Sequence, residues 1–134
     1  TGTARALLGD SVPLKAAVRQ WANVGALVSA LHTGDLALLS RALEDHVAEP
    51  KRAGLVPGFY AIKAAALDAG ALGCSLSGSG PSMFALARTL DAATAVGQAM
   101  AAAWGAASPA VDADLWVSPV GRHGARVVTP GSVR

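Results

Sequence analysis

The residues best suited to chemistry lie in one glycine-rich segment just past the middle of the chain. Two short apolar runs, residues 74–76 and 83–87, flank a connection of sequence Ser-Gly-Ser-Gly-Pro-Ser at positions 77–82. Glycine reaches backbone conformations closed to other residues, so a ligand can approach the chain closely there. Successive backbone N–H groups beside hydroxyls form a concave site suited to an anion such as a phosphate. The same composition is also typical of a tight hairpin, and both interpretations stay open at this point.

Several other kinds of active site are excluded because their sequence patterns are missing. The chain has neither the P-loop pattern nor the dinucleotide-binding glycine pattern, and it has no G-x-S-x-G serine elbow. His32, His46 and His123 are not grouped with each other or with the single cysteine, so no metal site is predicted. That cysteine, Cys74, excludes an internal disulfide and is expected to act as a small buried apolar residue.

The composition indicates one globular domain that covers residues 1–134. Apolar residues make up 52% of the chain and charged residues 15%, which is enough for a core of ordinary size. No run of 18 apolar residues and no basic-then-apolar leader occurs, so we expect a cytoplasmic chain without a membrane span or signal peptide. The net charge of +2 and a basic tail without aromatic residues argue against nucleic-acid binding.

A long N-terminal helix is predicted by its start signal, its apolar spacing and its stop signal. Ser11 is a suitable cap, and Pro13 is tolerated in a first helical turn. Gly34 is a fitting stop. Asn23, the only asparagine, falls inside the helix, where we expect an internal polar contact rather than a contact with substrate. Apolar residues recur at spacings of three and four along one face: Leu14, Val18, Trp21, Val24, Leu27, Val28 and Leu31.

Two further helices are predicted before the glycine-rich segment. Asp35 is a good N-cap for the first of them, and the Glu49-Pro50 pair is expected to end it because the residue before proline disfavours helix. Residues 51–58 contain two glycines and a proline and are predicted to form a loop. The next helix is predicted from about Phe59 to Ala69.

The second half of the chain is predicted to contain four strands and one helix. Two strands, Cys74–Leu76 and Met83–Ala87, border the glycine-rich segment, and Asp91 can cap the helix that follows. Leu115–Val117 and Ala125–Val128 are predicted as a third and a fourth strand. Helices followed by strands with one helix between them indicate an α+β fold, with helices packed on one face of a small antiparallel sheet.

Three segments resemble the GHMP small-molecule kinases, and the homoserine kinases in particular. Residues 73–87 resemble the third, glycine-rich motif of GHMP kinases. Residues 49–59, Glu-Pro-Lys-Arg-Ala-Gly-Leu-Val-Pro-Gly-Phe, resemble the E-P-x-R-x-x-L-[IV]-P-G-F stretch of homoserine kinases. Residues 3–8 resemble the A-R-x-x-L-P opening of their C-terminal half, although Gly9 stands where proline is usual. With residues 124–128, the resemblance extends over nearly the whole chain, and for the fold it implies the ferredoxin-like sheet of a GHMP kinase C-terminal domain.

The resemblance implies roles for two arginines and for the glycine-rich loop. Homoserine kinase arginines that match Arg5 and Arg52 look like ligands of the substrate carboxylate, to which a guanidinium fork can donate two parallel hydrogen bonds. No catalytic residue and no metal ligand is implied for this part of the enzyme. The third motif of GHMP kinases reaches the ATP-binding loop of the N-terminal domain, and here it corresponds to Gly78, Ser79, Gly80, Pro81 and Ser82.

The activity that the resemblance implies is phosphorylation of L-homoserine in threonine biosynthesis. The intact enzyme would transfer the γ-phosphoryl group of ATP, with Mg²⁺, to the side-chain hydroxyl and give O-phosphohomoserine. The phosphate loop and the acidic metal ligands belong to an N-terminal domain that this chain lacks, so we expect the chain alone to be inactive. Its expected partners are L-homoserine, its own N-terminal domain and a second copy in a homodimer. Two alternatives stay open: another GHMP kinase with a different small alcohol, and a stand-alone α+β module that binds a ligand without catalysis.

Overall fold

Helices precede and follow one pair of antiparallel strands in the described part of the chain. A computed structural model describes residues 2–121, 124 and 127. The predicted strand Ala125–Val128 therefore lies outside the described residues except for Val127. In chain order the elements are α1 (Gly2–Ala6), α2 (Leu14–Thr33), α3 (Leu36–Ala42), α4 (Glu49–Arg52), a 3-10 turn (Ala53–Leu55), α5 (Phe59–Asp68), β1 (Gly73–Leu76), β2 (Met83–Leu86) and α6 (Leu90–Ala107).

The boundary between α2 and α3 follows the predicted signals. Gly34 adopts the left-handed conformation with φ 73°, which ends α2. Asp35 then caps α3, and its side chain accepts a hydrogen bond from the amide of Leu38 at 2.9 Å. The start of α2 differs from the prediction: Pro13, not Ser11, is the N-cap residue, and no side-chain cap hydrogen bond forms there.

The Glu49-Pro50 pair begins a helix, so the prediction that it ends one was wrong. The preceding helix α3 already stops at Ala42. The Asp45 carboxylate then accepts hydrogen bonds from the amides of Val47 and Ala48, both at 2.8 Å, and this turns the chain. Pro50 falls in the first turn of α4, where the missing N–H breaks no helical hydrogen bond. Much of the predicted loop 51–58 is therefore helical.

The sheet and the helices α5 and α6 form the core beside the glycine-rich segment. β1 pairs antiparallel with β2, with Gly73 opposite Leu86 and Leu76 opposite Met83. Helices α5 and α6 pack against each other, α5 against β1 and α6 against β2. The α+β prediction is confirmed. The buried residues of the two clusters are Ala53, Val56, Phe59 and Leu76 in one, and Ala66, Cys74 and Val96 in the other.

The chain after α6 runs along that helix without forming the predicted third strand. Leu115–Val117 is not a strand, because among the described residues no strand edge pairs with it. Instead the Leu115 side chain lies over Gly97, where an added Cβ would approach it to 2.8 Å. The cap of α6 also differs: Thr89 accepts a hydrogen bond from the amide of Ala92 at 3.1 Å, so the prediction of Asp91 as cap was wrong.

The predicted apolar face of α2 exists but points away from the rest of the described chain. On that face Leu27 is half-buried. The exposed fractions of the other six apolar residues on this face range from 51 to 73%: Leu14, Val18, Trp21, Val24, Val28 and Leu31.

None of the described helices has the length and apolarity that crossing a bilayer requires.

Candidate functional site

One arginine side chain joins three separate segments of the fold. Arg52, at the end of α4, is half-buried. Its Nε donates to the carbonyl oxygen of Ala4 in α1 at 2.9 Å, and one Nη donates to the carbonyl oxygen of Gly78 at 3.3 Å. A guanidinium has five N–H donors, and five minus these two leaves three for a ligand. The arginine therefore connects α1 to the glycine-rich loop and still has donors to offer.

Two more basic residues lie at the same end of the fold. Arg5 directly follows Ala4 in α1 and is exposed. Lys51 precedes Arg52, and its Nζ donates to the carbonyl oxygen of Leu8. Lys51 was not among the predicted site residues, although its place beside Arg52 in the same segment was a usable signal. Lys51 and Arg52 thus connect α4 to α1 and the residues just after it, and of the three basic residues Arg52 is the one that contacts the glycine-rich loop.

The glycine-rich loop, residues 77–82, closes the β1–β2 hairpin and leaves backbone donors available. The amide of Ser77 donates to the carbonyl oxygen of Ser82 at 2.8 Å, which closes the loop. Gly78 and Gly80 have φ angles of 62° and 75°, a region that other residues rarely adopt. Among the described residues no acceptor contacts the amides of Gly78 and Ser79. The loop is therefore a hairpin and also has the free N–H groups that an anion needs.

A buried glutamate fixes the start of α4 beneath this site. Glu49 is 7% exposed, and its two carboxylate oxygens have different partners. One accepts from Lys63 Nζ of α5 at 2.5 Å, and the other accepts from Ser75 Oγ of β1 at 2.6 Å. Lys63 Nζ also lies 6.0 Å from the centre of the Phe59 ring. Because Arg52 lies one helical turn after Glu49, this network positions the arginine.

The Glu49–Lys63–Ser75 network could not be predicted from the sequence because its members are far apart in the chain. Glu49 and Lys63 are 14 residues apart, and Glu49 and Ser75 are 26 apart. Cys74, the neighbour of Ser75, is 1% exposed, and burial raises the pKa of its thiol from 9.0 to about 11. The nearby Lys63 ammonium acts in the opposite direction on that pKa, and the Glu49 carboxylate raises it further. Cys74 is therefore a protonated core residue, as the sequence suggested.

Comparison with known proteins assigns the chain to a family. The family described as GHMP kinases C terminal matches residues 27–106. The chain belongs to the GHMP kinase C-terminal family. Within it, the chain is 54% identical over 128 residues to the homoserine kinase of Chlorobium phaeovibrioides, which covers 96% of this chain and 40% of that relative. It is 46% identical over 122 residues to the homoserine kinase of Pyrococcus furiosus, covering 91% of this chain and 40% of the relative.

A solved structure supports the same membership in the GHMP kinase C-terminal family. The crystal structure of homoserine kinase from Cytophaga hutchinsonii matches with a TM-score of 0.85 and 49% identity, over 90% of this chain and 38% of that one. The resemblance predicted from the sequence is confirmed. The chain spans about 40% of the length of the curated relatives it matches. The roles predicted for Arg5, Arg52 and residues 78–82 are not tested by these matches and stay predictions.

GHMP kinases use ATP, and the site fits only part of that ligand. The free amides of Gly78 and Ser79 and the charge of Arg5, Lys51 and Arg52 suit a phosphate or a carboxylate. Within the described residues, no group of three or more His, Cys, Asp or Glu side chains is placed to hold a metal ion.

Proposed function

We propose that this chain is the C-terminal domain of a homoserine kinase. The intact protein phosphorylates the side-chain hydroxyl of L-homoserine with ATP and Mg²⁺, and the product O-phosphohomoserine serves threonine biosynthesis in the cytoplasm. One observation carries the proposal: Arg52 joins, through two backbone carbonyls, the three segments that resemble homoserine kinases. The identity of 54% with a homoserine kinase over 96% of this chain adds to it.

In this proposal the two arginines bind the carboxylate of L-homoserine. The N–H groups of Arg52 not used for Ala4 and Gly78 form one fork, and the exposed Arg5, the neighbour of Ala4 in α1, would supply the other. The hydroxyl of the substrate is then held toward the transferred phosphoryl group, and such reactions depend mainly on positioning. The glycine-rich loop adds its free amides to the nucleotide side of the site.

The proposed partners follow from the same reasoning. The N-terminal domain of the longer protein binds most of the ATP and Mg²⁺ and packs against the glycine-rich loop. L-homoserine binds between the two domains. A second copy of the protein completes a homodimer.

The proposal is tested in the longer protein that carries this chain. Purified protein should phosphorylate L-homoserine, and Arg52→Lys should raise the KM for L-homoserine by roughly tenfold or more, because a lysine cannot make the bidentate contact. Arg5→Lys should act in the same direction. Arg41→Lys, an exposed arginine of α3, serves as the matched control and should leave KM unchanged.

Other outcomes lead to the alternatives. Phosphorylation of a different small alcohol, with no reaction of L-homoserine, would mean a GHMP kinase of another specificity. Binding of a ligand to the longer protein without any phosphoryl transfer would mean a non-catalytic module. If Arg52→Lys and Arg41→Lys had equal kinetics with L-homoserine, the assignment of Arg52 to the carboxylate would be wrong.

A further inference from the structure

Helix α4 carries a carboxylate and a guanidinium that are neighbours on the helix but do not pair with each other. Glu49 and Arg52 are three residues apart, a spacing at which an acidic and a basic side chain can form an ion pair. Yet the ion pairs found within the described residues join Glu49 to Lys63 and Glu44 to His46. Contacts with other elements therefore decide the partner of Glu49.

Both oxygens of the Glu49 carboxylate are engaged by partners outside α4. Lys63 Nζ of α5 donates to one at 2.5 Å, and Ser75 Oγ of β1 donates to the other at 2.6 Å. A buried carboxylate is strongly destabilising without a cation, and Lys63 supplies one. Arg52 instead donates to the uncharged carbonyl groups of Ala4 and Gly78, so its positive charge is not neutralised by Glu49.

The Lys63 ammonium is itself held in place on α5. Its side chain is 20% exposed, and Nζ lies 6.0 Å from the centre of the Phe59 ring, one turn earlier on the same helix. Phe59 is 2% exposed and belongs to the core. Helix α5 packs against β1, which carries Ser75. The cation that engages Glu49 is thus part of the packed interior and independent of α4.

The chain that leads into α4 is fixed by contacts that do not involve Lys63. Asn23 Nδ2 of α2 donates to the carbonyl oxygen of Glu44 at 2.8 Å, so the polar contact expected for this asparagine within the chain is confirmed. Gln20 Oε1 of α2 accepts from the amide of His46 at 2.9 Å. Loss of the Lys63 ammonium should therefore redirect the Glu49 side chain rather than displace the start of α4.

We propose that Lys63 is a positioning residue for the substrate carboxylate: its ammonium holds Glu49 away from Arg52 and so leaves the guanidinium donors free. This inference rests on the proposed function, in which Arg52 binds that carboxylate. Without Lys63, the nearly buried Glu49 carboxylate has a cation one helical turn away in Arg52. An internal carboxylate on Arg52 would compete with the carboxylate of the substrate.

Kinetics of the longer protein with L-homoserine test this role of Lys63. Lys63→Met should raise the KM for L-homoserine by roughly tenfold or more, and a tenfold change corresponds to about 1.4 kcal/mol, less than the cost of leaving a buried carboxylate without its cation. The kcat at saturating L-homoserine and the KM for ATP should stay unchanged, because enough substrate displaces Glu49. Lys63→Arg retains the ion pair and should keep the original KM.

The double variant Glu49→Gln/Lys63→Met distinguishes competition from a general structural effect. Its KM for L-homoserine should return toward that of the unaltered protein, because a neutral amide binds a guanidinium more weakly than a carboxylate does. Val96→Ala is the control: Val96 is 2% exposed in the second core cluster, and the cavity should lower stability without changing this KM.

Two kinetic results would overturn the role of Lys63. One is an unchanged KM for L-homoserine in Lys63→Met, and the other is an equally raised KM in Lys63→Met and in Glu49→Gln/Lys63→Met. Circular dichroism shows whether each variant is folded. If Lys63→Met is not folded, Lys63→Gln takes its place with the same expected order of KM values.

Chemical modification of arginine separates a failure of this inference from a failure of the proposed function. Phenylglyoxal reacts with accessible guanidinium groups, and peptide mass spectrometry follows each arginine of the longer protein without any substrate. Lys63→Met should slow the modification of Arg52 relative to the exposed Arg41, and adding Glu49→Gln should restore the rate. An unchanged rate at Arg52 would overturn the inference. The expected rates in a protein that does not phosphorylate L-homoserine would support the effect of Lys63 on Arg52 and contradict the proposed function.

Discussion

Arg52 bridges parts of the chain that are distant in sequence. Its two backbone acceptors lie 48 and 26 residues away, in α1 and in the glycine-rich loop. Such a side chain contributes to folding stability as well as to any ligand contact. A lysine at position 52 would keep the charge but not this bridge, because the hydrogen bond to Ala4 comes from Nε, an atom position that lysine does not reproduce.

We expect Arg52→Ala to lower the free energy of unfolding of the chain by about 1–3 kcal/mol, since two hydrogen bonds from a charged donor are lost. Urea denaturation measures this change. Arg41→Ala removes an exposed arginine of α3 and should change stability by less than about 0.5 kcal/mol. Equal stability of the two variants would contradict the bridging role of Arg52.

The charge of Glu49 contributes to stability because the carboxylate is buried and paired. Glu49→Gln leaves the Lys63 ammonium without its carboxylate in a half-buried place, so we expect a loss of about 2–4 kcal/mol in urea denaturation. Glu44→Gln is the control, because the Glu44 side chain is 68% exposed and its contact with His46 is long, at 3.6 Å. Adding Lys63→Met to Glu49→Gln should restore part of the loss. A double variant less stable than Glu49→Gln would argue against the pairing.

The buried thiol of Cys74 predicts a pH dependence with a definite sign. Burial raises the pKa of Cys74 in the folded chain to about 11, whereas the unfolded chain titrates near the ordinary 9.0. The folded state thus retains its proton longer, and its stabilising effect is complete below pH 9 and is lost as pH rises toward 11. We expect the free energy of unfolding of the unaltered chain to fall by about 2–3 kcal/mol more over this range than that of Cys74→Ala. Parallel pH profiles would contradict the burial effect.

At the scale of elements, a close approach fixes β1 against the chain that follows α3. An added Cβ on Gly73 would lie 2.5 Å from a methyl carbon of Leu43. We therefore expect Gly73→Ala to destabilise the chain by about 1–3 kcal/mol through overpacking. Gly105→Ala in α6 is the matched comparison: nothing lies within 4 Å, and alanine should stabilise the helix by about 0.5–1 kcal/mol. Thermal unfolding of both variants checks the opposite signs.

Elements with strong local signals were predictable, and those that depend on distant partners were not. Gly34 and Asp35 ended one helix and began the next because both act within a few residues. The Glu49-Pro50 pair was misread because proline disfavours helix before it and also suits a first helical turn. Leu115–Val117 has the composition of a strand, but a strand forms only beside the edge of another strand. The sequence of this segment does not show whether such an edge is nearby.

At the scale of the whole molecule, the family could be predicted from motifs, while the geometry of the site could not. The three matching segments are short sequence motifs, so their resemblance to homoserine kinases could be seen without knowledge of the fold. That Arg52 contacts two of them depends on the packing of α4 against α1 and the hairpin. The free amides of the loop likewise depend on how the hairpin closes.

The whole-molecule prediction concerns activity. We expect the purified 134-residue chain not to phosphorylate L-homoserine with ATP and Mg²⁺, because the proposed function leaves most of the ATP and Mg²⁺ binding to the N-terminal domain of a longer protein. A coupled assay of ADP release, with the longer protein as the positive control, measures this. Turnover by a sample of verified mass would contradict the proposed division of ligand binding between two domains.

The shared carboxylate of Glu49 also limits how this protein can change over evolutionary time. If Lys63 is replaced first, the buried Glu49 carboxylate loses its cation; if Glu49 is replaced first, the Lys63 ammonium loses its anion. Either single substitution therefore lowers stability before a second one can restore it. Evolutionary change at these two positions therefore has to pass through a less stable protein or replace both residues together. Positions 49 and 63 should consequently change together rather than one at a time.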